Sequence, residues 1–128
     1  MKISVRSVST MLLLILILCM GIWILEAQTK FFRRVYDEMI LDNRNHYLSC
    51  EQLPLEAEAI QVLDEHQDAI KKIKQINPGF VGAEMDASTC PGKADILFWY
   101  GSHKDRLLIE DIIASETFYG IPYRLENR

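Results

Sequence analysis

The sequence is short of the residues that usually announce chemistry. It has three cysteines and no Cys-x-x-Cys pair, so the closely spaced thiols of a typical zinc site are absent. It contains no Gly-rich phosphate loop, no His-Glu-x-x-His and no Ser or Cys nucleophile beside an obvious base. Ser102-His103-x-Asp105 holds three triad residue types, but one helical turn is the wrong geometry for a triad. No residue is assigned to catalysis or to a metal, and no cofactor is expected. The expectation is a protein that is not an enzyme.

A basic surplus is missing as well. The chain has a net charge of −4. Residues 1–30 carry Lys2, Arg6 and Lys30 against Glu26, which leaves −6 for the remainder. An acidic body repels a phosphate backbone, so nucleic acid is not an expected partner.

Long apolar runs are confined to one place. Met11–Leu25, "MLLLILILCMGIWIL", carries no charge, and extending it back to Val8 gives 18 residues. That is close to the shortest helix able to cross a bilayer. Lys2 and Arg6 precede it. A cleaved signal peptide is the alternative, leaving a secreted domain. Such a cut needs small residues before it, and Leu25-Glu26-Ala27 offers a large one. A lipoprotein site at Cys19 is opposed by Leu18 before it. The reading is a membrane anchor over 1–28, with the span at about 8–25 and the lipid bilayer as its partner. Trp23, Phe31, Phe32 and Tyr36, with Arg33 and Arg34, fit a membrane interface beyond it. Basic residues flank both ends, so orientation rests on the default for a short positive N-region: body outside the cytoplasm.

Residues 29–44 read as a juxtamembrane helix or linker. Phe32, Val35, Tyr36, Met39 and Ile40 recur at helical spacing. Residues 45–128 read as one small domain. His46–Cys50 suggests a short strand, and Pro54–Ile76 an amphipathic helix with Ala59, Ile60, Leu63, Ile70 and Ile73 inward. Asn77-Pro78-Gly79 stops it. Phe80–Asp86 and Ala94–Gly101 suggest strands, the second apolar on both faces. Ser102 caps a second helix that buries Leu108, Ile109 and Ile112. Ile121–Glu126 alternates as a last strand, placed at an edge by Pro122.

This order is βαββαβ, the α+β sandwich called ferredoxin-like, with sheet order 4-1-3-2 and both helices on one face. In that arrangement the end of the first strand lies beside the start of the third, which brings Cys50 towards Cys90. A disulfide between them would close a forty-residue loop, worth about 3–4 kcal/mol in the chain-entropy model. It would also place the domain in an oxidising compartment. The alternative is a working thiol or metal-responsive pair, for which Lys93 is the only nearby cation in sequence. The two helices would leave the second sheet face open, presenting either Leu97 and Trp99 or Phe98 and Tyr100. That face is the expected surface for an unknown protein partner or a second copy. Stacking of RNA bases on the same aromatics is opposed by the acidity.

Overall fold

The computed structural model describes residues 5–128, with side chains from Val8 onward. Lys2 and the side chain of Arg6 lie outside this description. The chain divides into two compact units, Met1–Val35 and Tyr36–Arg128.

The first unit is built on α1 (Val5–Thr29). Its stretch Val8–Thr29, 22 residues, is long and apolar enough to cross a membrane. At 1.5 Å per residue it measures about 33 Å, against a hydrocarbon core of about 30 Å. None of it is buried within the protein. The helix does not run on through residue 30. Lys30 takes a left-handed conformation (φ 50°), and a new helix, α2 (Phe31–Met39), begins after it.

The second unit is a mixed α+β fold. After α2 come a 3-10 turn (Cys50–Gln52), α3 (Glu56–Glu65), α4 (Gln67–Lys74), β1 (Gly82–Asp86) and β2 (Asp95–Tyr100). Then follow α5 (His103–Ile113), β3 (Thr117–Phe118) and β4 (Ile121–Asn127). The four strands form one sheet in the order β1-β2-β4-β3. β1 pairs antiparallel with β2, β2 parallel with β4, and β4 antiparallel with β3.

The ferredoxin-like order 4-1-3-2 is therefore corrected. Residues 46–50 form no strand, and β4 takes the place beside β2 that this strand was to occupy. The cause is local. Asn45 Oδ1 accepts from Tyr47 N–H at 2.9 Å, and His46 Nδ1 accepts from Leu48 N–H at 3.0 Å. Such side-chain bonds compete with a strand ladder, and Tyr47 sits at φ 57°, outside β geometry. Arg44 makes an isolated antiparallel bridge to Leu125 instead. Nor is the Pro122 strand at an edge: β4 lies between β2 and the two-residue β3, where Pro122 faces Thr117 ahead of the residues that pair with β2. The β3–β4 hairpin turns through Tyr119 and Gly120, both with positive φ (50° and 93°), as a two-residue turn of the primed type requires.

The long helix expected over 54–76 is two helices. His66 leaves helical geometry (φ −114°, ψ 36°), and its ring stacks on Tyr119 with centroids 3.4 Å apart. α4 then packs on β1 and α5, while α3 reaches β1, β2 and β4. Ser102 caps α5 as expected, its hydroxyl accepting from Asp105 N–H at 3.3 Å. The buried side of α5 is displaced from the expected one. Asp105, Arg106 and Ile109 are buried, whereas Leu108 and Ile112 are exposed. α5 ends at Ala114 in a left-handed conformation (φ 50°), where glycine is the usual residue.

The core lies between the helices and one face of the sheet. Ile96, Phe98 and Tyr100 of β2 and Tyr123 and Leu125 of β4 meet Ala59, Ile70, Ile73, Ile109 and Phe118. Phe98 is at its centre, with edge-on rings of Phe118 and Tyr123 at 5.4 and 5.7 Å.

Candidate interaction surface

Alternation along β2 sends Phe98 and Tyr100 into the core and Leu97 and Trp99 to the opposite face. The expected aromatic surface is not exposed as a set. Leu97, Phe98 and Tyr100 are buried and only Trp99 is half-exposed. The face away from the helices is largely charged, because its neighbours in register are Glu84, Asp86, Asp95, Arg124 and Glu126.

Arg124 organises one end of that face. Its Nε donates to Asp95 Oδ2 at 2.5 Å and its Nη2 to Asp95 Oδ1 at 3.1 Å, a forked pair; Nη2 also donates to Asp86 Oδ2. His46 Nε2 lies 2.7 Å from the Oδ2 of Asp95. Since His46 Nδ1 already accepts from Leu48 N–H, Nε2 must carry the proton and donate to Asp95. Asp95 is buried. Its burial pushes the carboxyl up, but the hydrogen bonds from His46 and Arg124 outweigh this and hold it low. Asp86 is brought down to about 2, first by hydrogen bonding from Ser88 and then by Arg124. Both acids are thus stabilised as carboxylates.

The other end is aromatic. The Trp99 ring lies over Gly82, where a Cβ would come within 2.2 Å of it. That close approach is the reason for glycine in mid-strand. Trp99, the exposed Phe80, Gly79 and Arg128 line a shallow cavity of about 280 Å³. Arg128 also reaches Glu84 and Glu126, at 3.3 Å each. The sequence pattern indicated Trp99. It missed Phe80, which reads as the first residue of a strand and instead sits in the turn before β1.

Residues 37–53 run along the domain as a strap. Tyr47 Oη donates to Asp37 Oδ2 at 2.5 Å, and Tyr100 Oη donates to the Asp42 carbonyl. Burial, ahead of the nearby Asp42 charge, raises the Tyr100 pKa, so the phenol stays a donor. Asp42 Oδ1 receives Arg106 Nη1 at 2.9 Å and lies 2.7 Å from His103 Nδ1. Arg44 bonds Glu110 at 3.4 Å and Glu116 at 2.5 Å. Glu110 also receives Arg106 Nε at 3.2 Å.

The strap ends in the Cys50–Cys90 disulfide, with Cα atoms 5.5 Å apart and a sequence separation of 40. The pair meets without the strand that first suggested it. Leu55 forms an isolated bridge with Lys93, and Ala94 N–H donates to Pro54 O at 3.2 Å. These contacts hold the two cysteine segments side by side. Cys50 is exposed and Cys90 buried.

In the first unit Trp23, Phe31, Phe32, Arg33 and Arg34 are all exposed; Tyr36, also exposed, opens the second unit. No family model, no curated protein and no solved structure matches this chain.

Proposed function

We propose that this chain is a single-pass membrane protein whose α+β domain stands outside the cytoplasm and acts by contact with another protein, not by catalysis. The observation that carries the reading is the contrast between Val8–Thr29, apolar and unburied, and a domain closed by a disulfide. An apolar helix without a partner inside the chain calls for an apolar solvent outside it. A disulfide that clamps the strap to the domain fits an oxidising compartment. The contact surface is the shelf of Phe80 and Trp99 with Arg128, not the four-residue run 97–100. A half-exposed indole beside an exposed ring and a cation has the make-up of an interface anchor.

The test is thiol labelling in intact cells, using a Cys19→Ser background so that only Cys50 and Cys90 report. An impermeant maleimide should modify them after reduction and not before. Labelling only after lysis, without reductant, would overturn both the compartment and the orientation.

A further inference from the structure

We infer that the bend between α1 and α2 is a lipid-binding elbow, seated at the bilayer surface and holding an acyl chain of an anionic phospholipid. This rests on reading α1 as a membrane anchor. Three observations within the first unit carry it.

The first is a cleft of about 340 Å³ lined by Ile22, Leu25, Glu26, Thr29, Phe31 and Phe32. Its surface is almost wholly apolar, although Glu26 belongs to the lining.

The second explains how that can be. Glu26 Oε2 accepts from Phe32 N–H at 2.8 Å and Oε1 from Arg33 N–H at 3.3 Å. The carboxylate is turned onto the first-turn donors of α2, which otherwise lack partners. Thr29 Oγ1 donates to the Leu25 carbonyl at 2.8 Å, and Lys30 N–H to that of Glu26 at 2.8 Å. The N–H groups of Lys30, Phe32 and Arg33 are thus satisfied from within the bend. Water would satisfy those groups without help; hydrocarbon cannot, so structures at membrane depth must do so internally.

The third is continuity and charge. The cleft lies at the end of the apolar span, whose Trp23 is 81% exposed. Lys30, Arg33 and Arg34 follow at once in sequence. Apolar rings next to cations suit an acyl chain with an anionic headgroup above it.

The experiment uses the full chain with Cys19→Ser, reconstituted in phosphatidylcholine vesicles with and without phosphatidylglycerol. Nitroxides are attached at Ile17→Cys, Phe32→Cys and Arg34→Cys in separate samples. Collision with oxygen is compared with collision with a water-soluble nickel chelate; Phe31→Cys repeats the measurement, so that each label leaves the other lining ring in place. Labels at 17, 31 and 32 should favour oxygen several-fold more than the label at 34, and phosphatidylglycerol should deepen 31 and 32. If 17 lies in lipid while 31 and 32 behave like 34, the anchor stands and the elbow proposal falls. Water exposure at 17 as well would remove the anchor, and the proposal with it. Dipolar broadening between labels at 32 would assign the cleft to a second copy and overturn the lipid occupant.

Discussion

The two units use apolar side chains in opposite ways. In Tyr36–Arg128 they converge: Phe98, Ile96, Tyr100 and Ile109 are fully buried. In Met1–Val35 they radiate: Leu12, Leu16 and Leu25 are 57, 63 and 64% exposed. The residues are of one kind; what differs is their setting. Where polar residues alternate with apolar ones, a chain can fold one face against itself. A helix apolar all round has no face to hide, and its burial must come from outside.

The sharpest way to break this comparison is to cut equivalent holes in both units. Phe98→Ala should destabilise the domain by about 3–5 kcal/mol, because the ring is enclosed on every side. Leu16→Ala should leave the domain's unfolding midpoint unmoved, since no core atom loses a contact. Denaturant titration of the detergent-solubilised chain, followed by near-ultraviolet circular dichroism, measures both. An equal shift in the two variants would dissolve the distinction.

Next in size is the covalent clamp, which only the domain has. Replacing both Cys50 and Cys90 by Ser should lower stability by about 3–4 kcal/mol through the freed loop of the unfolded chain. Cys19→Ser, in the apolar helix, should do nothing to it. The same titration, with and without reductant, separates them.

Charge sharpens the contrast further, since the domain buries ions. Arg124→Met would leave Asp95 with His46 alone, at a cost of about 2–3 kcal/mol, below the full buried-pair value because Arg124 keeps some solvent contact. The pH dependence has a definite sign. Asp86 and Asp95 titrate lower in the folded state than in the unfolded one, where an Asp loses its proton near 3.9. Their stabilising contribution is therefore present above the unfolded value and is lost as pH falls below it, for Asp86 towards about 2. The variant should show a shallower acid decline than the parent over that interval. A parallel decline would mean that Arg124 does not set these acids.

The smallest effect concerns one backbone angle. Ala114→Gly should stabilise the domain by about 0.5–1 kcal/mol, because glycine adopts φ 50° without steric cost. Its midpoint should rise slightly; a fall would show that the left-handed cap is not the state populated in solution.

Much of this was legible from local pattern, and the reasons can be named. Phe80–Asp86 and Ala94–Gly101 showed as strands because β-formers stood between turn residues. Ser102 showed as a cap because Asp105 lies three residues on, and its amide does bond the hydroxyl. The candidate surface was half legible: Trp99 follows from alternation along β2, whereas Phe80 became exposed only because the strand started two residues later than its apolar run. The buried side of α5 was misplaced because Arg106, a poor core residue by type, is drawn inward by Asp42 and Glu110. No periodicity rule contains a partner more than sixty residues away.

The sequence alone determined a helix with no polar face and the strands at 82–86, 95–100 and 121–127 to within a few residues. Those properties depend on neighbours a few positions apart, and short-range sterics and hydrophobic spacing settle them. Tertiary structure decided that β4 lies against β2, that residues 37–53 form a strap, and that the exposed sheet face is charged. Each of these is a competition between distant segments for the same edge or the same ion, and its winner depends on which contacts can be made at once.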